Sequence, residues 1–151
     1  MIPSGATVRE VAVTAPKTLP ADTTVGEVRA AFTDAHVHVV LLVDTTRRTS
    51  DRRPLTLLLG TLLRSDLPDG AAGSSAALGL ATLAGRTVDP ATPALDAHRR
   101  LVATGQRRLA VVGPRRELVG LLCLRADGSS FCTDAGVAAR ECDRAAAAGR
   151  G

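Results

Sequence analysis

Residues 55 to 66 read LTLLLGTLLRSD, an apolar stretch broken only by Thr56, Gly60 and Thr61 before it runs into Arg64, Ser65 and Asp66. An arginine and an aspartate at the end of such a run stay inside only if something pairs with them. The pattern marks the mouth of a buried strand, where a carboxylate can accept hydrogen bonds and a guanidinium can face an anion. A purely structural use is the alternative, with Ser65 and Asp66 capping a short helix. Other reactive residue types give less. His36 and His38 would point to one side of an extended segment, but no third ligand stands near them in the sequence and no metal site is expected. Cys123, Cys132 and Cys142 have no C-x-x-C spacing, so neither a zinc site nor a disulfide framework is expected. Cys123 lies within an apolar strand and should behave as a small hydrophobe. With no G-x-S-x-G, phosphate-binding Walker loop or H-E-x-x-H, these residues predict recognition and not catalysis.

Composition narrows the partners. The 151 residues are 45% hydrophobic and 23% charged, the balance of a folded globular unit. Trp and Tyr are absent and Phe32 and Phe131 are the only aromatics, so the core must be built from Ala, Val and Leu. Rings on which single-stranded nucleic acid could stack are missing. The formal net charge is +4, almost all of the positive charge is arginine, and Lys17 is the single lysine. The arginines are scattered, and pairs such as Arg47-Arg48, Arg52-Arg53 and Arg115-Arg116 fall where loops are expected, so nucleic acid is not an expected partner. The start of the chain lacks the pattern of a signal peptide, and no apolar run approaches the roughly 20 residues of a membrane helix. A cytoplasmic location with free thiols follows as the expectation.

The elements that must position Asp66 occur twice. Residues 17 to 44 align with 86 to 113 at a constant offset of 69, placing Lys17-Thr18 over Arg86-Thr87, Thr23 over Thr92, Phe32 over Leu101 and Leu42-Val43 over Val111-Val112. Gly60 aligns with Gly120 at an offset of 60, and the difference falls in the loop DTTRRTSDRRP at 44 to 54. Each copy opens with a short extended segment, 17 to 19 or 86 to 88, and a turn rich in Pro, Asp and Thr. A helix follows, with Val25, Val28, Arg29 and Phe32, or Leu95, His98, Leu101 and Val102, at helical spacing. Two strands come next, 39 to 43 and 55 to 63 in one copy, 109 to 112 and 117 to 124 in the other. Their continuous apolar character implies that both faces are covered. A linker with a short Ala/Leu helix joins the copies, and a last helix is expected after Thr133.

This arrangement resembles a tandem pair of CBS domains, named for the regulatory region of cystathionine β-synthase. The resemblance covers about residues 8 to 142 and rests on the β-α-β-β-α order, the duplication, and a strand that ends in a glycine, apolar residues, a hydroxyl residue and an aspartate, here GTLLRSD at 60 to 66. It implies an α/β (α+β) fold of two β-α-β-β-α repeats in a pseudo-twofold pair. The first repeat spans 8–68, a linker with its short helix 69–82, and the second repeat 83–145. Such pairs set two three-stranded sheets side by side and bind adenosine-containing ligands such as AMP, ADP, ATP or S-adenosylmethionine in the clefts between the repeats. Their aspartate holds the ribose, and Asp66 is the matching residue.

A carboxylate there can accept from both ribose hydroxyls, each bond worth about 1.5 to 3 kcal/mol. Ser65 and the amides beside it would face an anion, and Arg64, Arg107 or Arg108 could neutralise a phosphate. His38, aligned with Arg107, and the opening threonines Thr18 and Thr87 complete the first set of expected ligand residues. The sequence departs from the family pattern where the hydroxyl residue should stand, at Leu63 in one copy and Cys123 in the other. The second copy has Ala126 at the aspartate position, with Asp127 one step late and Asp134 beyond an inserted turn, so its cleft is expected to be degenerate. The expected protein is a stand-alone sensor, not an enzyme, without cofactor or metal and away from membranes, acting through an unknown protein partner or a homodimer. A ligand-free homodimeric scaffold of the same fold is the alternative.

Overall fold

A computed structural model describes residue 2 and residues 4 to 132 of the chain. The helix expected after Thr133, Asp134 and Cys142 lie outside the described residues. The apolar runs become strands. In the first copy β1 is Thr18–Pro20, β2 Val39–Arg48 and β3 Pro54–Leu63, in the order β1-β2-β3. β1 runs parallel to β2, and β3 antiparallel to it. In the second copy β4 is Thr87–Val88, β5 Arg108–Val112 and β6 Leu118–Cys123, in the order β4-β5-β6. Val39 to Val43 are all buried, so both faces of β2 are covered, as a continuous apolar run requires.

Between the strands lie α2, Val25–Ala31, and α3, Ala94–Thr104. Thr24 caps α2, its Oγ1 accepting the Glu27 amide at 3.2 Å. Pro93 precedes α3, and Gly105 ends it in the left-handed region at φ 71°. Three expectations need correction. The loop at 44 to 54 is mostly a hairpin, because β2 continues to Arg48 and β3 starts at Pro54, leaving a tight turn in which the Thr49 amide donates to Arg53 O at 2.9 Å. The added arm, 45 to 48, is polar and exposed, so it carries no apolar periodicity to announce it. The buried side of α3 is Ala94, Ala97 and Leu101; Leu95 and Val102 are 39% and 57% exposed. Small alanines, and not the larger leucine and valine, face the sheet. The expected Ala/Leu helix of the linker is only a 3₁₀ turn, Leu78–Leu80, in a segment where Gly73 and Gly79 raise the cost of a longer helix.

The two copies also share a leader that precedes each extended segment. In the first leader, α1 is Val8–Val11. Thr7 bridges to Pro93, and Ala76 of the second leader bridges to Thr24; Ala76 stands 69 residues after Thr7, and Pro93 69 after Thr24. The amides follow suit: Ala94 N donates to Ala6 O, and Val25 N to Ser75 O, both at 2.8 Å. Each leader therefore serves the helix of the other copy. The chain divides accordingly into two compact units, one of Pro16–Thr87 with Val112–Leu118, the other of the residues up to Ala15 with Val88–Val111 and the chain from Val119. Each has its own core. In the first unit Val25, Val28, Phe32, Val40, Leu42 and Leu62 close around Ala77 of the second leader. In the second unit Ala94, Ala97, Leu101, Leu109, Val111 and Leu122 close around Ala6, Val8 and Ala12 of the first.

Candidate functional site

β3 delivers Asp66 to the end of the first sheet. After Leu63 the chain tightens into a 3₁₀ turn, Arg64–Asp66, and the Asp66 carboxylate reaches back to accept the Leu63 amide at 2.7 Å. Arg86, immediately before β4, closes on the same carboxylate from the other side. Its Nη1 donates to Oδ2 at 2.5 Å and its Nη2 to Oδ1 at 3.0 Å, a two-pronged pair with side-chain exposures of 19% and 18%. Nη1 also reaches Thr61 O, at 3.3 Å. The Arg86 hydrogen bonds hold the Asp66 carboxyl below the usual carboxylate range; burial opposes them and the Leu63 amide assists. Asp66 in turn raises Arg86. This is a permanently ionised pair at neutral pH, and two carboxylate oxygens already carry three donors.

The glycine of the strand-ending pattern has a steric reason. A Cβ on Gly60 would stand 2.5 Å from the Cβ of Ala81 in the second leader, and Thr61 exchanges both backbone hydrogen bonds with Thr82 there, at 2.9 and 3.1 Å. In the other copy a Cβ on Gly120 would stand 2.5 Å from Val13 O, and Leu121 exchanges the same two bonds with Val13, at 2.8 Å each. Each glycine lets a leader cross its strand.

Beside the ion pair, Thr87 lines a cavity of about 330 Å³ whose walls include Leu58, Leu83, Gly85, Val112 and Arg116. Arg86 and Thr87 thus connect the carboxylate to a mostly apolar hollow through adjacent residues. A second, more open hollow of about 370 Å³ lies between α2 and the 3₁₀ turn and is lined by Arg29, Phe32, Thr33, Arg64 and Asp69.

The remaining expected residues are spread over other places. Arg64 turns away from Asp66: its Nη2 donates to Asp34 O at 3.0 Å and Val37 O at 2.8 Å, and its guanidinium lies 5.2 Å from the centre of the Phe32 ring. Ser65 is exposed on the turn. Thr18 stands in β1 opposite Leu41, and His38 directly precedes β2. In the second unit Arg107 donates to Leu124 O at 3.3 Å. Arg108 is partly buried beside Cys123, burial working against its charge. Asp127 closes its own turn by accepting from the Ser129 amide and hydroxyl at 3.0 and 2.7 Å. Sequence reasoning named Asp66 and Thr87 but missed Arg86. The signal was available, since Arg86 aligns with Lys17 as the basic residue before each opening threonine.

The fold and the site define a duplicated α+β protein with one three-stranded sheet per repeat. Residues 86–126 match the family model of the CBS domain. The cystathionine β-synthase pair domain of a Shewanella oneidensis MR-1 protein superposes with a TM-score of 0.65 at 20% identity, over 82% of this chain and 68% of that one. A CBS domain protein from Pyrobaculum aerophilum complexed with AMP gives 0.59 at 21% identity, over 78% and 86%. The cytosolic domain of the Mg2+ channel MgtE in complex with ATP gives 0.57 at 22% identity, over 78% and 45%. No curated protein matches the sequence. The chain has the fold of a CBS-domain pair, and its likeness to the CBS domain in sequence lies in the second repeat. Among the described residues no helix is long and apolar enough to cross a membrane.

Proposed function

We propose that the chain is a regulatory module that binds an adenine nucleotide or a related adenosyl ligand and performs no catalysis of its own. The carrying observation is the cavity of about 330 Å³ beside Thr87, which falls in the roughly 300–1,000 Å³ range of small-molecule sites. Leu58, Leu83 and Val112 offer an apolar wall for a base, Thr87 a hydroxyl, and Arg116 a planar cation for phosphate. Asp66, the ribose residue, gives up Arg86 when it accepts the ribose hydroxyls, and the released guanidinium is then available to the phosphate. That two structures of this fold hold AMP and ATP supports the ligand class. The repeats are taken as 8–68 and 83–145, and the output as a homodimer or a protein partner in the cytoplasm.

At about 0.3 kcal/mol per heavy atom a nucleotide should bind in the micromolar range. Calorimetry and thermal melting with AMP, ADP, ATP and S-adenosylmethionine test this. A ligand at a hundredfold excess over Kd should add about 2.7 kcal/mol of stability, and Asp66→Ala should weaken the binding. Silence from all four at millimolar concentration removes the reading. It would favour the second reading, a ligand-free homodimeric scaffold, which is supported by the saturation of Asp66 by its own chain and by the exposed Leu95 and Val102 on α3.

A further inference from the structure

After β6 the chain turns back on itself. Gly128, at φ 74°, lets the turn close with its amide on Arg125 O at 2.9 Å; Arg125 N donates to Ser130 O at 2.8 Å, and Leu124 bridges to Phe131. The next pair outward is Cys123 and Cys132, joined by the Cys132 amide on Cys123 O at 2.7 Å. Directly opposed residues of this kind have Cα atoms about 5.5 Å apart, inside the roughly 4.4–6.8 Å that a disulfide spans. Their sulfurs are already in contact, with Cys132 Sγ donating to Cys123 Sγ at 3.1 Å. Both residues are partly exposed, and both are free thiols. The guanidinium of Arg108 lies against Cys123.

We propose that Cys123 and Cys132 are a reversible oxidation site, a dithiol that a hydroperoxide converts to a disulfide within the chain. Burial pushes the Cys123 thiol up to about 11, which makes Cys123 slow to ionise and leaves the first attack to its partner, Cys132. Its thiolate takes the terminal oxygen of the peroxide, the O–O bond breaks, and sulfenic acid and one water (or alcohol) result. Cys123 then attacks the sulfenic sulfur, the S–O bond breaks, and the thiol proton leaves with the hydroxide as a second water. The peroxide is reduced by two electrons and the two thiols are oxidised by two. A dithiol donor reverses the product by exchange.

The sequence makes the test clean, because trypsin places the three cysteines on separate peptides: 117–125, 126–140 and 141–144. Reduced full-length protein is treated with one equivalent of hydrogen peroxide, the remaining thiols are alkylated, and the digest is mapped. The expected result is a loss of two hydrogen masses from the monomer, peptide 117–125 linked to 126–140, Cys142 alkylated, and full reversal by dithiothreitol. In Cys132→Ser the linked species should vanish while Cys123 stays alkylatable. A link that includes peptide 141–144, a link between chains on a non-reducing gel, or recovery of Cys123 and Cys132 as unlinked thiols or sulfinic acids overturns the proposal.

Discussion

Asp66 carries two possible duties, and they predict different things. As a strut it accepts the Leu63 amide and both prongs of Arg86, so Asp66→Asn leaves a mostly buried guanidinium underpaired and should cost about 1.5 to 3 kcal/mol of stability. The pH dependence has a definite sign. Arg86 keeps the folded carboxyl below its unfolded value, so the contribution is present above the unfolded value of about 3.9 and is lost as pH falls through the folded one. The melting-temperature gap between the wild type and Asp66→Asn should therefore be constant near neutrality and close in acid. A gap that persists unchanged at the lowest pH would show that the pair contributes nothing. The half-buried Asp44 and the exposed Asp127, whose carboxyls are lowered chiefly by Thr46 and Ser129 of their own turns, are the controls. What the sequence disclosed at this scale was need: an acidic residue after a greasy run must have a partner. It did not disclose which partner, because Arg86 is 20 residues away and reaches Asp66 only after the second leader has crossed β3. The thiol pair escaped for a related reason. A spacing of nine has no recognised motif, and only the inserted turn makes Cys123 and Cys132 opposite neighbours.

At the level of elements, the long apolar strands were legible because burial on both faces leaves no polar residue to blur the run. The extension of β2 from 45 to 48 was not, since exposed strand residues look like loop. On α3 the sequence pattern holds for Leu101 but not for Leu95 and Val102, which are the more apolar residues yet lie outside, while Ala94 and Ala97 join Leu101 on the buried side. Gly60 gives the element-scale prediction. Gly60→Ala forces two Cβ atoms to 2.5 Å and should cost about 1 to 3 kcal/mol, as overpacking does. Adding Ala81→Gly should recover part of that loss, a coupling measurable by a double-mutant cycle in denaturant. Strict additivity would show that the leader gives way freely and that the glycine is not needed for the crossing.

For the whole chain, the duplication was readable but the trade of leaders was not. The leaders share spacing and a single identical residue, Ala12 over Ala81: GATVREVAV at 5 to 13 and SSAALGLAT at 74 to 82 agree mainly in where small side chains fall. Val8 and Ala77 are the matched plugs, both fully buried. A chain shortened to begin at Pro16 removes Ala6, Val8 and Ala12 from the second core while leaving every residue of the first. Hydrogen exchange should then quicken across α3, β5 and β6 while β1 to β3 keep their protection. Equal loss in both sheets would show that the two cores do not depend on separate leaders.

That trade bears on ancestry. A half-length forebear with one leader and one body could have filled its core only by lending its leader to a twin and borrowing the twin's in return. Tandem fusion of its gene would have turned that mutual loan between molecules into a fixed internal one. Either body, inherited alone, would again have to find a twin.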